Sequence, residues 1–274
     1  MKNRILIPVL FASFISLAAR AQHAHLNAGA VSTVQGARLI FDNGADFNAA
    51  GGYVKTLTYT NASTYAGYYQ QSITLTALAQ TPPNAGPVPN APALGSYIQA
   101  GIVSLEGPTD GAFAFWETGA TAPTFILHAG EVGTNLFHLT EADGSPGTDP
   151  YGHIHGRRFT ATKAGIYKVN FVLKDTSTNG VNGGPIHTPS DLLPIYFQAG
   201  VNFVSIEPDE DHTHLRVGTP AGDSWQIEVS EALGPNAIWQ SVGDAVVGDD
   251  YIHMVIDEHE VLGQRFFRVK KVIP

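Results

Sequence analysis

Short runs of alternating apolar and polar residues, each closed by Gly, Pro, Asn or Asp, constrain this chain more than any other feature. They fall at residues 37–41, 53–59, 72–78, 97–105, 112–116, 124–128 and 166–173, with turn signals such as Asp42-Asn-Gly44 and Asn182-Gly-Gly-Pro185 between them. Alternation with period two means that one side of each run faces a core and the other faces water. No long stretch of period 3.6 survives after the first 21 residues, so helical layers are excluded. The expected fold is all-β, an antiparallel sandwich followed by a smaller β-sandwich module. Residues 81–95 hold five prolines and are expected to be an extended surface loop.

Six further runs, at 201–206, 213–217, 225–229, 238–242, 251–256 and 265–269, form the second module, with its border near Gly200. The division is therefore a leader at 1–21, a β-sandwich at 22–199 and a C-terminal module at 200–274. The leader has a basic start with Lys2 and Arg4, an apolar stretch broken by Pro8, and a small-x-small end at Ala19-Arg-Ala21. That is the pattern of a secretory signal peptide, too short to span a bilayer. Its loss leaves a chain that starts at Gln22, does not span a membrane and is exported to the periplasm or beyond. No apolar anchor precedes the end at Val269-Lys-Lys-Val-Ile-Pro274, which fits a soluble exported protein.

Charge and sulfur narrow the function. Of 15 Lys and Arg, Lys2, Arg4 and Arg20 go with the leader, leaving 12 against 24 Asp and Glu. A net charge of −12 disfavours nucleic-acid binding, which needs a basic surface. There is no cysteine, and methionine occurs only at Met1 and Met254. Thiolate zinc sites and cysteine nucleophiles are excluded, and a Cu(I) shuttle is disfavoured, because Cu(I) carriers favour soft sulfur ligands. Any metal must be held by imidazole, carboxylate or backbone oxygen.

The chemistry-bearing motif is His153-Ile-His155. On a strand these two imidazoles share a face and offer two nitrogens to one ion. His-x-His recurs at His23/His25 and His212/His214, whereas 11 His placed at random give roughly half of one such pair. His153 and His155 are thus the first ligand candidates, joined by His25 and by His187, with Asp191 as a partner for a ligating ring. The metal is a divalent ion, zinc before copper(II). His212 and His214, beside Asp209-Glu-Asp211, read as an acidic linker first and as a surface cation site second.

Enzyme signatures are sparse. A cupin motif would need Glu where Phe159 and Thr160 stand, and there is no nucleophile elbow, phosphate loop or dinucleotide fingerprint. Non-catalytic metal binding is therefore preferred to catalysis. The alternative is a surface module that binds a glycan or an envelope protein, with Tyr65, Tyr68, Tyr69 and Trp116 as an aromatic platform. A metal-dependent oxidoreductase of copper/zinc type ranks third.

Three segments carry a family resemblance. They are Ala24-His25-Leu-Asn27, Glu106-Gly-Pro-Thr-Asp-Gly-Ala-Phe-Ala-Phe-Trp-Glu117, and His153-Ile-His-Gly-Arg-Arg-Phe159 running on to Gly165-Ile-Tyr167. Together they make residues 23–175 resemble bacterial surface-anchored proteins of the choice-of-anchor M type, including the actinobacterial surface-anchored repeat. Asn27 stands where that pattern has an acid. The resemblance implies an accessory role beside a metal-uptake transporter. Residues 201–269 resemble a β module found at the ends of large bacterial exported proteins, which implies no chemistry.

Overall fold

The computed structural model describes residues 25–81, 88–201, 203–234, 237–259 and 263–272. The signal-peptide segment and His23 lie outside them, as does part of the proline-rich loop. The described chain is all-β, with three short 3-10 turns and no helix as long as seven residues. None of its helices is long and apolar enough to cross a membrane.

Nineteen strands are present among the described residues. In the first part of the chain they are β1 (His25–Ala30), β2 (Leu39–Phe41), β3 (Lys55–Tyr59), β4 (Tyr69–Gln71), β5 (Thr74–Ala77), β6 (Ile98–Glu106), β7 (Ala112–Trp116), β8 (Phe125–His128), β9 (Val132–His138), β10 (Gly152–His153), β11 (Arg158–Ala161), β12 (Gly165–Asp175) and β13 (Leu193–Ala199). A small sheet runs β10-β5-β1-β2, and a nine-stranded sheet runs β8-β7-β11-β4-β3-β13-β12-β6-β9. The edge strands of the large sheet, β8 and β9, follow each other in sequence and are joined by a tight turn in which the Glu131 N–H donates to the His128 carbonyl at 2.9 Å. The sheet therefore curls until it nearly closes on itself.

Alternation explains how the layers meet. Leu26, Ala28 and Ala30 of β1 and Leu75 and Ala77 of β5 point inward, against an aromatic core of Phe113, Phe115, Phe159, Phe171 and Phe197 from the large sheet. Phe115 and Phe137 stack with ring centroids 4.1 Å apart. Full burial of one such ring contributes about 1.5–3 kcal/mol. Two pairings, β1 with β5 and β3 with β13, are parallel where an antiparallel arrangement was expected. Parallel neighbours need a long crossover, and the stretches that intervene in sequence supply it.

The remaining strands are β14 (Phe203–Pro208), β15 (His212–Gly218), β16 (Ser224–Ser230), β17 (Gln240–Val247), β18 (Ile252–Glu258) and β19 (Phe266–Lys271). They form two three-stranded sheets, β14-β15-β18 and β17-β16-β19. Leu215, Val217, Ile227, Val229 and Val242 make a separate small core, with Val201 and Phe203 packed on it. This part touches the larger sandwich through a buried pair, Lys55 Nζ to Asp250 Oδ2 at 2.5 Å. Tyr53 and Tyr251 pack edge to face beside it. Burial, followed by the charge of Asp250, holds the Tyr53 hydroxyl well above the usual tyrosine range.

Candidate metal centre

The outer face of the small sheet carries the histidines. Inward-facing Leu26 and Leu75 fix the phase of β1 and β5, so His25, Asn27, Thr74 and Thr76 face out. On β10, His153 pairs with Thr76 and Gly152 with Ala77. Gly152 sets the phase here: a Cβ on it would sit 1.7 Å from the Leu139 carbonyl oxygen. Only glycine lets β10 pass so close, and that placement turns His153 outward.

The result is a row of three imidazoles from two distant segments. The ring centroids of His25 and His153 are 4.6 Å apart, and those of His153 and His155 are 4.4 Å apart. Two imidazoles sharing one tetrahedral zinc ion at about 2.0–2.1 Å per Zn–N bond place their centroids roughly 5.2 Å apart. The rings here are closer than that, so a shared ion would require them to open by several tenths of an ångström. The rings pack against one another. Among the described residues, no three His, Asp or Glu side chains are already gathered as a metal ligand set.

The environment of each ring differs. His25 and His153 are half-buried and His155 is exposed. The Thr76 hydroxyl lies 3.4 Å from His25 Nδ1. The Nε2 atom of His153 is buried and makes no hydrogen bond. Burial, and after it the neighbouring His155, holds the His153 imidazole below the ordinary histidine range, and Glu141 partly opposes this. A lowered proton affinity favours the neutral ring, and the tautomer protonated at Nδ1 presents Nε2 as the lone-pair nitrogen that a divalent ion requires.

The backbone beneath these rings is held firmly. Glu141 Oε1 accepts from the His153 N–H at 2.6 Å, and the Thr118 hydroxyl donates to the His155 carbonyl at 2.5 Å. Gly156 follows with φ of 85°, turning the chain away. Arg157 then plunges into the core, 5% exposed, and makes a two-pronged pair with Glu117 at 2.7 and 2.9 Å. Its guanidinium also lies over the rings of Phe115 and Phe137. On the other side, Asn43 Nδ2 donates to the His25 carbonyl at 2.7 Å.

His187 does not share this chemistry, and the expectation that it joins the ligand set is corrected. It is 1% exposed. Its Nε2 accepts from the Ala93 N–H at 2.9 Å, so Nδ1 carries the proton and donates to the Ala37 carbonyl at 3.0 Å. Both nitrogens are spent on the backbone. Asp191, expected beside a ligating ring, instead pairs with Arg38 at 2.5 Å. The aromatic platform is altered too. Trp116 is buried at 2%, donates Nε1 to Thr160, and is covered edge-on by Tyr65 and Tyr68.

Sequence reasoning missed Glu141, Thr118 and the Glu117–Arg157 clamp. The glycines that bracket His153 and His155 were the one local hint of a tightly held segment. No family model matches the chain, and no curated protein or solved structure matches it either.

Proposed function

We propose that this is an exported, non-catalytic protein that binds a divalent ion, zinc before copper(II), through His25, His153 and His155. The observation that carries the reading is the meeting of His25 with His153, from strands far apart in sequence, beside a buried Nε2 of His153 without a hydrogen bond. A buried polar atom left unpaired costs about 1–3 kcal/mol. A ligand that engages it removes that cost, and zinc accepts neutral imidazole readily. The backbone contacts from Glu141 and Thr118 favour a site held on a rigid support. An accessory role beside a metal transporter of the cell envelope follows from the family resemblance and is part of the same proposal.

The test is elemental analysis of the tag-free chain from Gln22 onward after dialysis against trace zinc. A variant with His25, His153 and His155 all changed to Ala is measured in parallel. The proposal expects near-equimolar zinc at this site in the wild type and its loss in the variant. Identical metal content in the two proteins overturns it.

A further inference from the structure

We propose that the buried pair of Lys55 and Asp250 is a charge latch. It holds the C-terminal strands β14–β19 on the larger sandwich as one rigid body, and loss of either charge lets them swing about Gly200. Lys55 opens β3, and Asp250 sits in the turn between β17 and β18, so each part supplies one charge. Both side chains are buried, and Lys55 Nζ lies 2.5 Å from Asp250 Oδ2. Neither residue has another ion partner among the described residues. The Tyr53 hydroxyl beside them stays protonated, because burial and then the charge of Asp250 raise it, so it adds no charge of its own. The chain crosses from β13 to β14 at Gly200, whose φ of 79° is one that glycine adopts freely.

The two apolar cores are separate, and neither spans the border. Around the pair the border is built from main chain. The Val54 N–H donates to the Asp250 carbonyl at 3.1 Å, the Ile252 N–H donates to the Gly52 carbonyl at 2.8 Å, and Tyr53 and Tyr251 form an antiparallel bridge. Gly218 comes so near that a Cβ on it would lie 2.5 Å from Val54 Cγ1. Asp250 itself takes a left-handed backbone, with φ of 67°, which glycine would take with less strain. What aspartate adds at this position is its carboxylate. Two paired charges offset each other's loss of water, whereas one alone is an uncompensated buried charge. Removing either charge therefore favours the state in which the other regains water, and the parts separate to supply it. Removing both strands nothing.

The experiment is NMR amide relaxation of the tag-free chain from Gln22 onward, reading amides of β6 and β12 against those of β15 and β16. One rotational correlation time is expected for both sets in the wild type. Lys55→Met and Asp250→Asn are each expected to keep both sets folded, as amide shift dispersion reports. In each, the β15 and β16 set is expected to tumble about twofold faster, as a smaller body does. Each single variant is a complete test, so one carries it should the other fold poorly. Lys55→Met/Asp250→Asn, which strands no charge, is expected to return to one correlation time, a result that damage to the border would not give. Should both single variants fold poorly, the double variant decides alone. Two correlation times in the wild type, one in either folded single variant, or two in the double variant, overturns the proposal.

Discussion

Two histidine environments in this molecule differ in what answers the ring. At His187 the ring and the backbone are satisfied from within: Ala93 and Ala37 take its nitrogens, and Asp175 accepts from the Ile186 and His187 N–H groups at 2.9 and 3.1 Å. Around His153 the backbone is satisfied, but the ring nitrogen is left unpaired and rests on two other imidazoles. Burial lowers the proton affinity of both rings. Burial therefore does not separate a structural histidine from a binding one. The separating feature is whether its nitrogens are already engaged.

The largest expected effect tests whether the support of the three-imidazole row is as rigid as the His187 region. Glu117→Ala leaves the buried Arg157 without its partner, and breaking such a pair costs about 3–5 kcal/mol. Because Thr118 next door holds the His155 carbonyl, zinc affinity is expected to fall along with stability. Urea unfolding and zinc titration check this. Loss of stability with unchanged zinc affinity would detach the clamp from the site.

His187→Ala comes next. It strands the Ala93 N–H and the Ala37 carbonyl and opens a void, for a loss of about 2–4 kcal/mol. Zinc content is expected to stay at the wild-type level. A variant that unfolds at wild-type urea concentrations, or that loses zinc, would erase the distinction between the two regions.

Acid is expected to act more gently, and on both regions. The folded-state affinity of His187 for protons is lowered, first by burial, with the Ala37 carbonyl and Asp175 opposing. The unfolded chain therefore binds more protons than the folded one once pH falls below the free-histidine value of about 6.5. The stability contributed by the neutral ring is complete above that pH and is lost as pH falls through the lowered folded value. A proton on Nε2 would also face the Ala93 N–H, leaving that donor without an acceptor. Urea midpoints from pH 7.5 to 5 are expected to decline, and His187→Gln is expected to flatten the decline. Zinc is expected to leave over the same interval, because a protonated imidazole cannot ligate. Retention of zinc down to pH 4 would assign it to carboxylates.

The sequence made the scaffold more legible than the site. Alternating runs located β2, β3, β5, β6, β7, β8 and β12, and all six strands after Gly200, to within a few residues. They missed β1, β4, β9 and β11, as well as β10, which is two residues long, and β13, whose Pro194 is accommodated in the pairing with β12. His153, His155 and His25 stood out because imidazole spacing is local or motif-borne. Glu141, Thr118, Glu117 and Arg157 did not, since their roles arise only when separate loops converge. His187 was misassigned for the same reason: its partners, Ala37 and Ala93, are backbone groups, and no side-chain pattern announces a backbone acceptor.

The smallest expected effect cuts deepest into the comparison. His153→Phe keeps a planar ring at the same place and removes the unpaired Nε2. If this histidine serves binding, the fold gains nothing from its nitrogen, and taking away a buried unsatisfied group is neutral or stabilising. Stability is expected to stay level or rise by up to about 1 kcal/mol, while zinc affinity falls at least tenfold. Stabilisation bought by loss of binding is the usual sign of a functional position. Urea unfolding beside zinc titration of the same preparation reads both quantities. A loss of more than about 2 kcal/mol would mean that His153, like His187, holds the fold together. The row of three imidazoles would then be packing, and the two regions would differ only in exposure.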